Sequence, residues 1–189
     1  MGLPSNPMTA AGYLAWEREQ LERHEFCRGD VFAMSGGSPR HNAISAAIVG
    51  DLRVATRGSS CRVLSSDQRV VVFPGEHYVY PDVSLVCGSF ELAEGTNDVL
   101  ANPCAVFEVL SPGTEAYDRG DKWAAYRRLA SLREYVLVSQ VLPRVEVYRR
   151  ADDDWRYEVI EAGGRLRLEA GFELNIDAIY DGVFELPGA

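Results

Sequence analysis

The sequence predicts an α/β (α+β) chain, a mixed and curved β-sheet flanked by helices, with a C-terminal antiparallel meander. Three observations carry this. Residues 104–110 form a short apolar run between Pro103 and Ser111-Pro112-Gly113, the pattern of a buried central strand covered on both faces. Stretches with apolar residues at helical spacing alternate with short strands through the first two thirds of the chain. From residue 144 onward, apolar and polar residues alternate with period two, interrupted by Asp152-Asp153-Asp154 and Gly163-Gly164.

Taken in order, Thr9 is placed to cap a first helix over residues 10–22, with Tyr13, Leu14, Trp16 and Leu21 on its apolar side. Residues 24–27 and 31–34 read as a hairpin turning at Gly29. A loop over 35–39 leads into a helix over about 39–57, with Pro39 in its first turn, and small residues beside Ile44, Ile48 and Leu52 fit close packing on a sheet. Strands are expected at 61–64, 68–73 and 80–86, and residues 88–102 read as a polar surface excursion. After the central strand, the chain becomes helical by about Asp118, with Trp123, Tyr126 and Leu129 forming an apolar stripe. A strand over 133–138 precedes the meander, and Asn175 is placed to cap a short helix over 176–180.

The 189 residues suit one domain over 1–189, with 1–8 as a loose tail. No apolar run approaches bilayer length, and the first residues lack a basic and apolar leader, so the expected location is cytoplasmic. Cys27, Cys61, Cys87 and Cys104 are widely and irregularly spaced, which favours buried reduced thiols over a disulfide frame or zinc site. The net charge of −9 argues against a broad electrostatic clamp on nucleic acid.

Glu108 stands between Phe107 and Val109 in the middle of the central apolar run. A carboxylate there costs several kcal/mol unless it is paired or coordinated. Asp82 stands at the entrance of the 80–86 strand, so the two acids can converge from neighbouring strand ends. Two such carboxylates, with the carbonyl of Val109, suit a hard divalent ion such as Mg²⁺ or Mn²⁺, which keeps several waters. Lys122 is the chain's single lysine, among eighteen arginines, and Asp118, Lys122 and Tyr126 are four apart on one helical face. A compact ammonium in an arginine-biased chain points to a specific task, orienting water or meeting developing negative charge. The structural alternatives stay open at this point: Glu108 as a buried acid paired with arginine, Asp82 as a turn residue, and Lys122 as an ordinary pair with Asp118. Glu25 reads equally as a partner of Arg28 and as a site acid. His41 reads first as a helix-end histidine and second as a substrate or proton-transfer group.

Several phrases resemble the Uma family of restriction-endonuclease-like proteins, within the PD-(D/E)xK phosphodiesterase superfamily. They are Glu25-Phe-Cys-Arg-Gly-Asp-Val-Phe-Ala-Met-Ser, Ser-Pro-Arg-His41, Ser66-Asp67-Gln-Arg-Val, Tyr80-Pro-Asp-Val, and Phe107-Glu-Val-Leu-Ser-Pro with Asp118 and Lys122-Trp-Ala-Ala-Tyr126. The likeness runs in order over about residues 8–182. It implies a restriction-endonuclease-like core and a metal-dependent nuclease site, with Asp82 and Glu108 as ligands, Glu25 as a third acid and Lys122 as the basic residue. His41, Asp118 and Tyr126 would stand behind them or touch substrate. The superfamily lysine two residues after the strand acid is here Leu110, so the resemblance implies an ammonium supplied from the following helix. The expected substrate is DNA and the expected assembly a homodimer, on the general frequency of twofold oligomers. Two rivals stand beside this: a catalytically silent binding or assembly module, and a metal-dependent hydrolase of small phosphate esters.

Overall fold

The computed structural model describes residues 7–34 and 36–188. Thr9 accepts the Gly12 amide at 3.1 Å and opens α1 (Ala10–Glu17), which stops short of the predicted residue 22. The loose tail expected over 1–8 lies outside the described residues for 1–6, while the Met8 amide is tied to the Gly29 carbonyl at 2.9 Å. Strands β1 (His24–Cys27) and β2 (Asp30–Ala33) form the hairpin, and its Arg28 and Gly29 both sit at positive φ, as a two-residue loop requires. Ser38 caps α2 (Pro39–Ala55). There follow β3 (Cys61–Ser65), β4 (Arg69–Phe73), β5 (His77–Val79), β6 (Val83–Cys87), β7 (Val99–Leu100) and β8 (Ala105–Val109). Next come α3 (Glu115–Tyr117), a π-helical turn (Asp118–Lys122) and α4 (Trp123–Tyr126). The chain closes with β9 (Glu134–Val138), β10 (Arg144–Ala151), β11 (Asp154–Glu161), β12 (Arg165–Arg167), β13 (Glu173–Asn175) and α5 (Ile176–Ile179).

The strands form two main sheets, β2-β1-β5-β4-β7 and β11-β10-β9-β8-β6-β3, plus the separate hairpin β12-β13. Pairs β8–β9 and β4–β7 are parallel and the remaining pairs antiparallel, so the fold is mixed as expected. β8 is buried along its whole length. Its odd-numbered side chains, Ala105, Phe107 and Val109, pack under Ile44, Ile48 and Leu52 of α2. Val106 and Leu110 face the other way, against Tyr126, Leu132 and Tyr135. Glu108 shares their parity and so points to that second face.

Four local expectations are corrected. The single strand expected over 80–86 is split: Tyr80-Pro81-Asp82 leaves the first sheet after β5 and enters the second at β6. Pro81 lacks the N–H a ladder needs, which suits this crossing point. The polar excursion at 88–102 carries β7, whose Val99 and Leu100 are fully buried beside β4. The meander holds for β9-β10-β11, but β12 turns away to pair with β13, burying Leu166 and Leu174 over the α2 face. Cys61 and Cys87 form a disulfide rather than two thiols, because antiparallel β3 and β6 set them directly opposite each other. Cys27 and Cys104 are free.

Candidate active site

The crossing at Tyr80-Pro81-Asp82 puts β1 of one sheet beside β6 and β8 of the other. A cavity of about 1050 Å³ opens there, with Glu25, His41, Asp82, Glu108, Asp118 and Lys122 all on its lining. Every residue named from the sequence therefore converges on one place: Val109 lies on the same lining, and Tyr126 reaches it through Glu108.

Lys122 is the centre. Its Nζ lies 3.0 Å from Glu25 Oε1, 3.0 Å from Glu108 Oε1 and 3.6 Å from Asp118 Oδ1, with the side chain only 5% exposed. The local backbone explains how a helix residue gets there. Ser111-Pro112-Gly113 ends β8, the Glu115 amide bonds the Ser111 carbonyl at 2.8 Å, and the helix starts three residues before Asp118. The π-helical turn then carries Asp118 and Lys122 inward together and leaves Arg119 outside, bound bidentately to Glu146. Such one-turn insertions are frequent at functional sites. Leu110 sits in the aromatic cluster with Tyr126, so the ammonium beside Glu108 comes from the helix and not from the strand.

Each acid is held by a defined partner. Tyr126 donates to Glu108 Oε1 at 3.4 Å, and the Tyr80 amide donates to Glu25 Oε1 at 3.2 Å. Asp82 Oδ2 accepts the Val109 amide at 2.7 Å and lies 3.2 Å from His41 Nε2. His41 N in turn bonds Ser38 Oγ at 3.2 Å, the cap of α2. Gly37 fits against the imidazole because a Cβ there would lie 2.5 Å from Nδ1.

The electrostatics follow from burial and crowding. Burial most of all, then the neighbouring Asp118, Asp82 and Glu25, drives the Glu108 carboxyl well above the usual glutamate range, against the opposing pull of Lys122. Asp118 is pushed up chiefly by burial too, again with Lys122 opposing. For Lys122, burial is the largest single influence and acts downward, but Glu108, Glu25, Tyr126 and Asp118 together outweigh it and hold the ammonium charged. For His41, burial likewise acts downward first, and the hydrogen bond and charge of Asp82 raise it above its ordinary value.

Two lining residues escaped the sequence reading. His77 Nε2 lies 3.0 Å from the Tyr117 hydroxyl, and the Tyr117 ring lies 5.8 Å from the Lys122 ammonium. Tyr117 sits one residue before Asp118, a position that helical periodicity leaves unmarked. Burial pushes the His77 imidazole down despite the nearby Glu25.

Among the described residues, no three His, Cys, Asp or Glu side chains are grouped as a ready metal-ligand set. The donor chemistry nevertheless suits a hard dication: Asp82 and Glu108 are oxygen donors, and three carboxylates lie around one ammonium. Mg²⁺ commonly takes one or two protein carboxylates and keeps its waters, which fits this sparse set.

A family model described as Uma2, putative restriction endonuclease, matches residues 10–179. The uncharacterized protein slr1290 of Synechocystis is 36% identical over 185 residues, covering 95% of this chain and 96% of its own. A second Synechocystis protein, the uncharacterized sll1609, is 30% identical over 146 residues, covering 77% of this chain and 82% of its own. In three dimensions the chain is similar to a crystal structure titled as a putative nuclease belonging to DUF820 from Anabaena variabilis. The TM-score is 0.77 at 19% identity, covering 94% of this chain and 99% of that one, a likeness of fold. The chain belongs to the Uma2 family.

Proposed function

We propose that this chain is, over its whole length, one nuclease domain that hydrolyses phosphodiester bonds in DNA with Mg²⁺ or Mn²⁺ as cofactor. The observation that carries the reading is the single lysine, buried and in contact with three carboxylates on the wall of a large cavity. A purely structural buried ion pair needs one acid per base, and surplus buried anions are strongly unfavourable unless a cation joins them. The family's description as putative restriction endonucleases supports the same chemistry.

In this reading Asp82, Glu108 and the Val109 carbonyl hold the ion. When bound, it supplies an activated water and neutralises charge on the phosphate under attack. The chain's own groups do the rest. The Val109 amide and His41 fix Asp82 Oδ2, and Oδ1 is the oxygen that would meet the ion. Tyr126 fixes Glu108. Lys122, kept charged by Glu25 and Asp118, meets the negative charge that builds on the phosphate oxygens and orients the attacking water. Glu25 also completes the acidic wall through its bond from the Tyr80 amide.

The test is cleavage of plasmid and linear duplex with Mg²⁺ or Mn²⁺, alongside calorimetric ion binding. Cleavage by the wild type is expected to fall about a thousandfold in Asp82→Ala and Glu108→Ala. Saturating ion at roughly a hundred times its Kd should stabilise wild type by about 2.7 kcal/mol and leave Glu108→Ala unmoved. Absence of both cleavage and ion binding would leave a binding or assembly module. Cleavage of a chromogenic phosphodiester with plasmid intact would instead point to a small-ester hydrolase. Equal cutting by Lys122→Ala would remove the lysine from the mechanism.

A further inference from the structure

The six-stranded sheet ends in β11, an eight-residue edge strand with no proline or glycine and no bulge in its pairing to β10. Natural edges of this length are usually shortened, bulged, covered or given charged side chains, because a free ladder recruits another strand, and of these devices β11 has the charges Asp154, Arg156, Glu158 and Glu161. Here Tyr157 is 51% and Val159 37% exposed.

The hydrogen-bond parity of this edge is fixed by its neighbour. The Arg150 amide bonds the Arg133 carbonyl and the Ser139 amide bonds the Arg144 carbonyl, so even-numbered residues of β10 bond toward β9. Odd-numbered residues of β10 therefore bond toward β11. The register sets Val145, Val147, Arg149 and Ala151 opposite Ile160, Glu158, Arg156 and Asp154. The backbone groups of Trp155, Tyr157 and Val159 are left pointing outward.

We propose that two copies of this chain dimerise by antiparallel pairing of β11 with β11 about a twofold axis at Tyr157. In an antiparallel pair, opposite residues are both bonded or both non-bonded, so outward residues must meet outward residues. Centring on Arg156 would set arginine against its own copy, and centring on Glu158 would set glutamate against glutamate. Centring on Tyr157 pairs residues 154–160 of each copy and avoids both like-charge meetings. It sets Arg156 opposite the copy's Glu158 twice and Trp155 opposite the copy's Val159 twice. The edge is thus complementary to itself in charge and in apolar contacts, as an isologous interface requires. Arg156 makes no ion pair among the described residues, while Glu158 is held in place by Arg149 at 2.9 Å. Tyr157, whose ring lies 5.1 Å from that of Tyr148, is on the same side of the sheet as Trp123 and Glu108. Both cavities would then open on one side of a continuous sheet of twice six strands. The interface follows from the edge alone and is independent of the nuclease reading.

The test is molar mass by light scattering and sedimentation of the full chain across a concentration series. Wild type is expected at twice the chain mass. Arg156→Glu and Glu158→Arg, each replacing two attractive cross-strand pairs with like charges, should raise the dissociation midpoint roughly tenfold or more. The double swap Arg156→Glu with Glu158→Arg should restore the dimer, which a generic charge effect would not do. Thermal melts identify any variant that fails to fold, and Tyr157→Pro, which removes an outward amide together with the hydroxyl bonded to Glu146, gives a second route to the monomer. A wild type that stays monomeric, a dimer indifferent to Arg156→Glu, or a swap that fails to restore pairing would each overturn the proposal.

Discussion

Two buried charge clusters lie either side of Tyr80, and they are built on opposite principles. In the first, Glu17 Oε1 accepts the His24 amide at 2.9 Å and the Tyr80 hydroxyl at 2.9 Å, while Oε2 meets His24 Nδ1 at 3.0 Å. Arg69 donates to the Tyr80 hydroxyl at 2.7 Å and lies 3.6 Å from Asp98, which at the exposed end of the cluster also binds Arg18 through both oxygens. Here acids and bases come in comparable numbers, and both Glu17 oxygens are bonded. In the second cluster, one ammonium serves Glu25, Glu108 and Asp118, and the acids face open space in a cavity. The first arrangement is what a folded protein needs to bury charge, and the second leaves negative charge in surplus. That difference, more than the presence of buried acids, distinguishes a site from a scaffold.

The contrast can be broken most forcefully at Lys122. Lys122→Met leaves three buried acids without their cation and should cost about 3–5 kcal/mol in urea unfolding. A loss below about 1 kcal/mol would mean the acids are already neutral and the surplus is illusory. In the balanced cluster, Glu17→Gln removes the charge and one acceptor and should cost about 1–3 kcal/mol. Ion binding and cleavage should be unchanged, because among the described residues the Glu17 carboxylate bonds His24 and Tyr80 and none of the cavity acids; altered ion affinity would show that the clusters are coupled.

The smallest effect has the opposite sign. A carboxyl whose folded pKa lies above its unfolded value binds its proton more tightly when folded. Its stabilising contribution is complete below the ordinary glutamate value of 4.5 and is lost as pH climbs through the raised folded value. Glu108→Gln, which resembles the protonated form, should therefore be more stable than wild type near pH 8, with the gain vanishing toward pH 4.5. Thermal melts over that range with ion absent would check it, and a variant less stable at pH 8 would contradict the raised value.

The unbalanced cluster was the more legible of the two in the sequence. Glu108 is conspicuous because a charge interrupts an apolar strand, and Lys122 because no other lysine competes for notice. Glu17, His24 and Tyr80 each look like ordinary residues, since what makes them a cluster is a tertiary meeting that no spacing records. The split of the 80–86 run turned on Pro81, whose missing amide marks a boundary that apolar content alone hides. β7 is two residues long, too short for any period to register. The Cys61–Cys87 bond depends on the register of β3 against β6, and cysteine spacing says nothing of strand register. The π-helical turn is likewise a backbone event without its own residue pattern.

The solitary lysine has a chemical consequence as well. A chain whose side-chain amines number one offers amine-directed reagents a single internal target besides the N-terminus. That target is shielded by burial and by a proton its neighbours hold on it. The speed of acylation at Lys122 would then clock how often the junction between the two sheets breathes open.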